Sequence, residues 1–205
     1  MVIGVLALQG DFEAHRTILE ACGVQVQAVR DAAALDECEA LVIPGGESTV
    51  MSRLCDRYGL WQPLRRRVES GMGVLGTCAG LILLAKNMSG ASRNFPQQTL
   101  GTLDVDVARN AYGSQVDSFE ADVTVPLLGD SPVRAVFIRA PQITRCGAEV
   151  EVLAEHEETP VVVRQGPVMA TAFHPEIAGD TRLHQLWLDG IMSESTHPEE
   201  HEASL

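Results

Sequence analysis

The chain has 205 residues, 45% of them apolar and 21% charged, and a formal net charge of −13 at pH 7. One domain with a sizeable core is expected from that length, and the acidic balance argues against nonspecific binding to nucleic acid or to an anionic membrane. No apolar stretch approaches the roughly 20 residues of a membrane span, and the five scattered cysteines include no C-x-x-C, which fits a reducing, cytoplasmic setting rather than a disulfide framework or a zinc cage.

Residues 2–8 are apolar, have no basic segment before them and run directly into Gln9-Gly10-Asp11. They read as a first strand, not a signal peptide. A helix is expected over 11–22, with Gly23 as its stop. A strand over 24–29, a short helix over 32–38 and a strand over 40–43 follow, closed by Pro44-Gly45-Gly46. Ser48 can cap a helix that carries Met51, Leu54 and Cys55 on one face. A further helix over 60–70 presents Arg65-Arg66-Arg67 as a solvated face. Then come the apolar pair Val74-Leu75, the segment Gly76-Thr77-Cys78-Ala79-Gly80 and a helix-like run over 81–86. Strand alternating with helix predicts an α/β fold, a mainly parallel sheet covered by helices on both faces.

The second half changes character. Residues 87–98 read as a polar loop. Strands are expected over 103–108, 118–125, 133–138, 150–154, 161–164 and 168–173, separated by turns such as Gly129-Asp130 and Gly166-Pro167. We expect these strands to be antiparallel, some of them extending the sheet at an edge. A last helix over 181–192 closes a single domain, 1–192, and the acidic tail 193–205 is expected to be disordered.

Gly76-Thr77-Cys78-Ala79-Gly80 is the thiol version of the G-x-S-x-G nucleophile elbow. Small residues are needed because strand and helix pack tightly there. The turn lifts the sulfur to the strand's C-terminal end, beside a helix N-terminus that favours thiolate. A bare G-x-C-x-G is equally met by a buried structural cysteine between packing glycines. A cysteine nucleophile needs a base and an orienter. His174-Pro175-Glu176 offers both after an apolar strand, with the two side chains on one face of an extended segment. The triad proposed is Cys78, His174 and Glu176; alternatively, His174 only ends a strand and Glu176 is solvated. Of the six histidines, His197 and His201 fall in the tail, His184 in the last helix, His15 in the first and His156 in what reads as an exposed acidic turn.

In such sheets ligands bind at the carboxyl ends of strands. Pro44-Gly45-Gly46-Glu47-Ser48 and Cys78 should therefore share an edge. An oxyanion needs two preorganised donors; the Ala79 amide supplies one in an elbow and the Gly46 amide can supply the other. The same segment also reads as an ordinary strand-to-helix turn. Gln9-Gly10 ends the first strand on this edge, so Gln9 can pass a partner's contact to the glycine turn.

In order, P-G-G-E-S-T, G-T-C-A-G and F-H-P-E resemble the triad, class I glutamine amidotransferases. Gly4-Val5-Leu6-Ala7-Leu8-Gln9-Gly10, Arg109-Asn110-Ala111-Tyr112-Gly113, Gln115-Val116-Asp117-Ser118-Phe119-Glu120 and Phe137-Ile138-Arg139-Ala140-Pro141 resemble one branch, the glutaminase subunits of pyridoxal 5′-phosphate synthase. The likeness spans about residues 2–190. Ser114 stands where many members carry a basic residue, and Val50 where threonine is common. The resemblance implies a flavodoxin-like fold and hydrolysis of L-glutamine to glutamate and ammonia through a cysteinyl thioester. It implies delivery of the ammonia to a synthase subunit in a large hetero-oligomer, with no nucleic acid, membrane, metal or bound cofactor involved. Carried over by position, Gly46, Glu47, Ser48, Arg109, Ile138 and Arg139 contact substrate. A cysteine hydrolase sharing the sheet and elbow, and a scaffold subunit with a dead site, are the competing readings.

Overall fold

The computed structural model describes residues 1–90, 97–109 and 118–196. The first half alternates as expected. Strands β1 (Val2–Leu6), β2 (Gln25–Val29), β3 (Ala40–Ile43) and β4 (Gly73–Thr77) are separated by helices α1 (Phe12–Ala21), α2 (Ala32–Asp36), α3 (Ser48–Arg57) and α4 (Trp61–Glu69), and α5 (Ala79–Leu84) follows β4. Strands β1, β3 and β4 are apolar on both faces and almost wholly buried, the pattern of parallel strands covered on both sides.

The remaining elements are β5 (Ala85–Ser89), β6 (Leu103–Ala108), β7 (Phe119–Val123), a short 3-10 turn (Pro126–Leu128), β8 (Val133–Phe137), β9 (Gln142–Cys146), β10 (Glu151–His156), β11 (Thr159–Gln165), β12 (Val168–Thr171) and α6 (Arg182–Thr196). Among the described residues the main sheet has seven strands, in the order β10-β11-β12-β4-β3-β1-β2. Its five parallel strands run β2-β1-β3-β4-β12, the flavodoxin-like order. The chain reverses its direction of growth between β1 and β3. In an open parallel sheet such a reversal opens a crevice outside the carboxyl ends of the strands. Gln9, Gly46, Cys78 and His174 all emerge there.

Several expectations need correction. Strands β10 and β11 extend one edge antiparallel, as expected, but β12 lies inside the sheet and pairs parallel with β4. The other second-half strands leave the main sheet: β5-β6-β9 form one small sheet and β7-β8 another. Helix α5 stops at Leu84, and Lys86 falls in β5, within the expected helix and polar loop. Strand β9 has no apolar run to announce it; it is held by pairing with β6 and by Arg145 bridging Asp104 and Asp106. Helix α6 continues to Thr196, so the expected tail boundary at 193 falls inside it. Glu47, not Ser48, caps α3, its carboxylate accepting from the Thr49 and Val50 amides. Arg65 and Arg67 are half-buried and donate to the carbonyls of Thr99 and Cys38, so only Arg66 of that trio is a solvated side chain. His156 is not in an open turn but packs against Phe119 and Phe137, its ring centroid 5.7 Å from each. Ser114, His197 and His201 lie outside the described residues.

The β4–α5 turn tolerates nothing larger than glycine at position 80, because a Cβ there would stand 2.0 Å from the Ile43 carbonyl oxygen. Gly190, inside α6, has open space around its Cα. We expect Gly80→Ala to lower stability by about 1–3 kcal/mol through overpacking and Gly190→Ala to raise it by up to about 1 kcal/mol through helix propensity. Urea unfolding of both variants checks the pair, and equal midpoints would contradict the packing account.

Candidate active site

Cys78 ends β4 and opens α5 with φ 48° and ψ −99°. A positive φ at a residue with a side chain is a strained conformation costing about 1–3 kcal/mol. It is held by neighbours on both sides. The Cys78 amide donates to the Thr171 carbonyl of β12 at 2.9 Å, and α5 packs directly over β3 through Gly80. The outcome is an elbow, as the glycine pattern predicts, with the sulfur at the sheet's carboxyl edge.

His174 follows β12 and is buried, its own amide donating to Val136 of β8 at 2.9 Å. Gly45 makes room for the ring, since a Cβ there would come within 2.1 Å of His174 Cε1. The ring Nδ1 lies 2.7 Å from Glu176 Oε1, so Nε2 is left for the sulfur. Burial pulls the His174 pKa down, but hydrogen bonds and charge from Cys78 and Glu176 outweigh it and push it up to about 10. Burial disfavours the Glu176 carboxylate, and the attraction of His15 and then His174 more than offsets it, holding this carboxyl well below its ordinary range.

These shifts set a pH window. Protonated His174 stabilises the fold fully below its ordinary 6.5 and loses that contribution as pH rises through about 10. Ionised Glu176 contributes fully above its ordinary 4.5 and loses that as pH falls through its lowered value. Both contributions are complete between those ordinary values.

A cleft of about 270 Å³ opens over the sulfur. Cys78, Ala79 and His174 form its floor; Gly46, Glu47 and Ser48 come from the β3–α3 turn, Arg109 from the end of β6, and Ile138 and Arg139 from the end of β8. Gln9 and Asp11 close it from the β1–α1 turn. Every residue assigned to the site from the sequence therefore lines this cleft, save Glu176, which stands behind His174. Arg139 has a positive φ of 45°, a second strained residue at the rim, and the Ile138 carbonyl lies 3.9 Å from Cys78 Sγ.

The arginine is already engaged. Arg109 reaches Glu47 at 3.2 Å, Thr49 at 3.0 Å and Gln97 at 2.9 Å, and Gln97 also accepts from Ser48 at 3.2 Å. Gln97 falls in the stretch read as a polar loop, and nothing in its neighbours marks it. Gln9 Oε1 accepts from the Glu47 amide at 2.6 Å, and the Gly45 carbonyl accepts from the Asp11 amide at 3.3 Å. Donor atoms of Asp11, His174 and Glu176 lie within 4.8 Å of one another. Within it, His174 Nδ1 and Glu176 Oε1 are engaged with each other at 2.7 Å.

Two histidines depart from the sequence reading. His15 and His184, which read as ordinary helix residues away from the elbow, are completely buried behind Glu176. The helical spacing carries a signal for both. His15 shares the inward face of α1 with Ile18 and Leu19, and His184 that of α6 with Trp187 and Leu188. A histidine on such a face needs a buried partner.

A family model described as the SNO glutamine amidotransferase family matches residues 5–193. A pyridoxal 5′-phosphate synthase subunit PdxT of Kosmotoga olearia is 48% identical over 193 residues, 94% of this chain and 98% of that protein. One from Frankia casuarinae is 51% identical over 191 residues, 93% of this chain and 95% of that protein. A crystal structure of a glutamine amidotransferase superposes with a TM-score of 0.86 at 46% identity, covering 94% of this chain and all of that one. The structure of PurLQS from Thermotoga maritima, at 16% identity and TM-score 0.68, covers 92% of this chain and 97% of that one and shares the fold.

The geometry makes His174 a proton-holding group whose state depends on Glu176. By nitrogen-detected NMR of the histidine rings, His174 should titrate near 10, and Glu176→Gln should bring it down by at least about one unit by removing the facing charge. An unchanged titration would detach Glu176 from His174.

Proposed function

The chain belongs to the SNO glutamine amidotransferase family, and we propose that it hydrolyses L-glutamine at Cys78 and delivers the ammonia to a synthase subunit for pyridoxal 5′-phosphate biosynthesis. The observation that carries the assignment of residues is the convergence of a strained cysteine, a buried His–Glu pair and the residues Gly46 and Ala79 on one cleft.

The steps follow from the charges. Cys78 Sγ, as thiolate, attacks the carboxamide carbon of glutamine. The oxygen becomes an oxyanion facing the Ala79 and Gly46 amides, donors whose individual loss typically costs about 3 kcal/mol in the barrier. His174 gives its proton to the leaving nitrogen, ammonia departs and a glutamyl thioester remains. His174, now neutral, takes a proton from water; the hydroxide oxygen adds to the thioester carbon, glutamate leaves and the sulfur regains its charge. Glu176 holds the imidazole and offsets its charge. Glutamine's charged amino-acid end wants opposite charges and donors. Arg139, Arg109 and Glu47 supply them at the cleft wall, so substrate would enter a site where Arg109 and Glu47 are first paired with each other.

Control by the synthase subunit fits the β1–α1 turn. The Gly45 carbonyl is tied to Asp11, so the Gly46 amide of the same planar peptide points the opposite way. Gln9 holds the next amide along, that of Glu47. A partner pressing on Gln9 would act on the peptide that supplies the second oxyanion donor.

Glutamate release by the chain with its synthase subunit tests this reading. Cys78→Ala should remove turnover by several orders of magnitude while still binding glutamine, and His174→Asn should be nearly as damaging. Glu176→Gln should hurt less, since the base remains. Near-normal release by Cys78→Ala would overturn the assignment. Mass spectrometry of a slow variant should find the glutamyl adduct on Cys78 and on no other cysteine.

The synthase subunit should raise turnover at least about tenfold at saturating glutamine, as expected when an oxyanion donor is supplied. Gln9→Ala should reduce that activation more than it reduces basal hydrolysis. The reverse pattern would place Gln9 in the chemistry itself.

A further inference from the structure

Behind the His174–Glu176 pair lies a buried polar chain that the hydrolytic steps do not use. Glu176 Oε2 is buried and makes no close hydrogen bond among the described residues; it faces His15 Nε2 at 3.5 Å. The same His15 nitrogen lies 3.2 Å from Thr77 Oγ1. Thr77 directly precedes the nucleophile, and its hydroxyl accepts from the Gly45 amide at 2.9 Å. On its other side His15 Nδ1 meets His184 Nε2 at 3.0 Å. His184 Nδ1 is buried with no partner among the described residues.

The tautomers follow from these partners. If His184 carries its proton on Nε2, it donates to a bare His15 Nδ1, and His15 Nε2–H is left for Glu176 and Thr77. The orphan His184 Nδ1 is then only a lone pair. The opposite arrangement would turn a bare His15 nitrogen toward a carboxylate and bury a His184 N–H with nothing to accept it. Burial above all holds His184 neutral, its pKa brought down to about 3. A neutral ring in one fixed tautomer can set the orientation of the next.

We propose that His15 is a positioning residue of the active site: its Nε2–H, fixed in place by His184, holds the Glu176 carboxylate and the Thr77 hydroxyl together. One buried ring thus ties the orienter of the base to the elbow, and through Gly45 to the glycine turn. The proposal rests on the assignment of Cys78, His174 and Glu176 made above. The titratable groups that face His15 are Glu176, after β12, and His184 on α6; His174 is bound to Glu176 and faces Asp11, and Asp180 acts on His184. Of these, Glu176 is the one whose charge His15 supports most directly.

The test uses the full chain with its synthase subunit, after Cys78→Ala has been shown to be inactive. His15→Leu should lower kcat about 10- to 100-fold, the loss usual when the group orienting a functional ligand is removed, with KM for glutamine little changed. Its pH profile of kcat should narrow from the acid side, because Glu176 without that donor protonates more readily. His15→Gln keeps an amide N–H where Nε2–H stands and should recover most of kcat and the width of the profile. An unshifted profile in folded His15→Leu, or a Gln variant no better than the Leu variant, would overturn the proposal. Should His15→Leu not fold, nitrogen-detected NMR of the native chain decides: His15 protonated at Nε2 and bare at Nδ1 supports the chain, and the reverse tautomer refutes it. Activity surviving in Cys78→Ala would instead overturn the site assignment, and the proposal with it.

Discussion

The strained turn at Cys78 is the constraint on which the rest of this structure depends. A φ of 48° at a non-glycine residue persists only where its surroundings leave no alternative. Here β4 is clamped between β3 and β12, the Cys78 amide is bound to β12, and α5 lies so close to β3 that position 80 admits no side chain. The parallel sheet is therefore more than a scaffold. Its central pairings supply the energy that holds Cys78 in an unfavourable conformation at the edge where ligands collect.

The second constraint is electrostatic. Glu176 carries a charge in a place that water does not reach, which costs several kcal/mol unless partners compensate. His174 and His15 do so from opposite sides, and His184 stands behind His15. A buried network of this kind contributes little net stability. Its effect is specificity of orientation: Glu176 holds Nδ1 of His174, which leaves Nε2 for the sulfur. The same logic runs along the cleft wall, where Glu47 caps α3, pairs with Arg109 and donates its amide N–H to Gln9. Shared partners make the glycine turn, the arginine and the β1–α1 turn respond together.

How much of this is legible follows from what a linear pattern encodes. Apolar runs and glycine stops announce β1 to β4, their helices and the elbow, because burial on both faces and a tight turn impose composition directly. Cys78, His174 and Glu176 are legible because each sits in a short segment whose local geometry is part of its chemistry. Strand β9 is not, since its stability comes from pairing with β6 and from Arg145 rather than from apolar residues. Gln97 carries no local mark. His15 reads as an ordinary helix residue until its spacing to Ile18 and Leu19 is weighed, which puts it on the buried face.

By itself, then, the sequence determined the alternation of strand and helix and the position of the strained turn, and it singled out Cys78, His174 and Glu176, all of which depend on neighbours within a few residues. Only the tertiary structure decided that β12 enters the middle of the sheet beside β4, which carries His174 to Cys78 from almost a hundred residues away. It also decided that α1 turns His15 toward the Glu176 carboxylate and that α6 sets His184 against His15. Those contacts arise between elements distant in the chain, where the requirement to satisfy a buried charge is met by whichever side chains the packing brings near, and no local pattern records it.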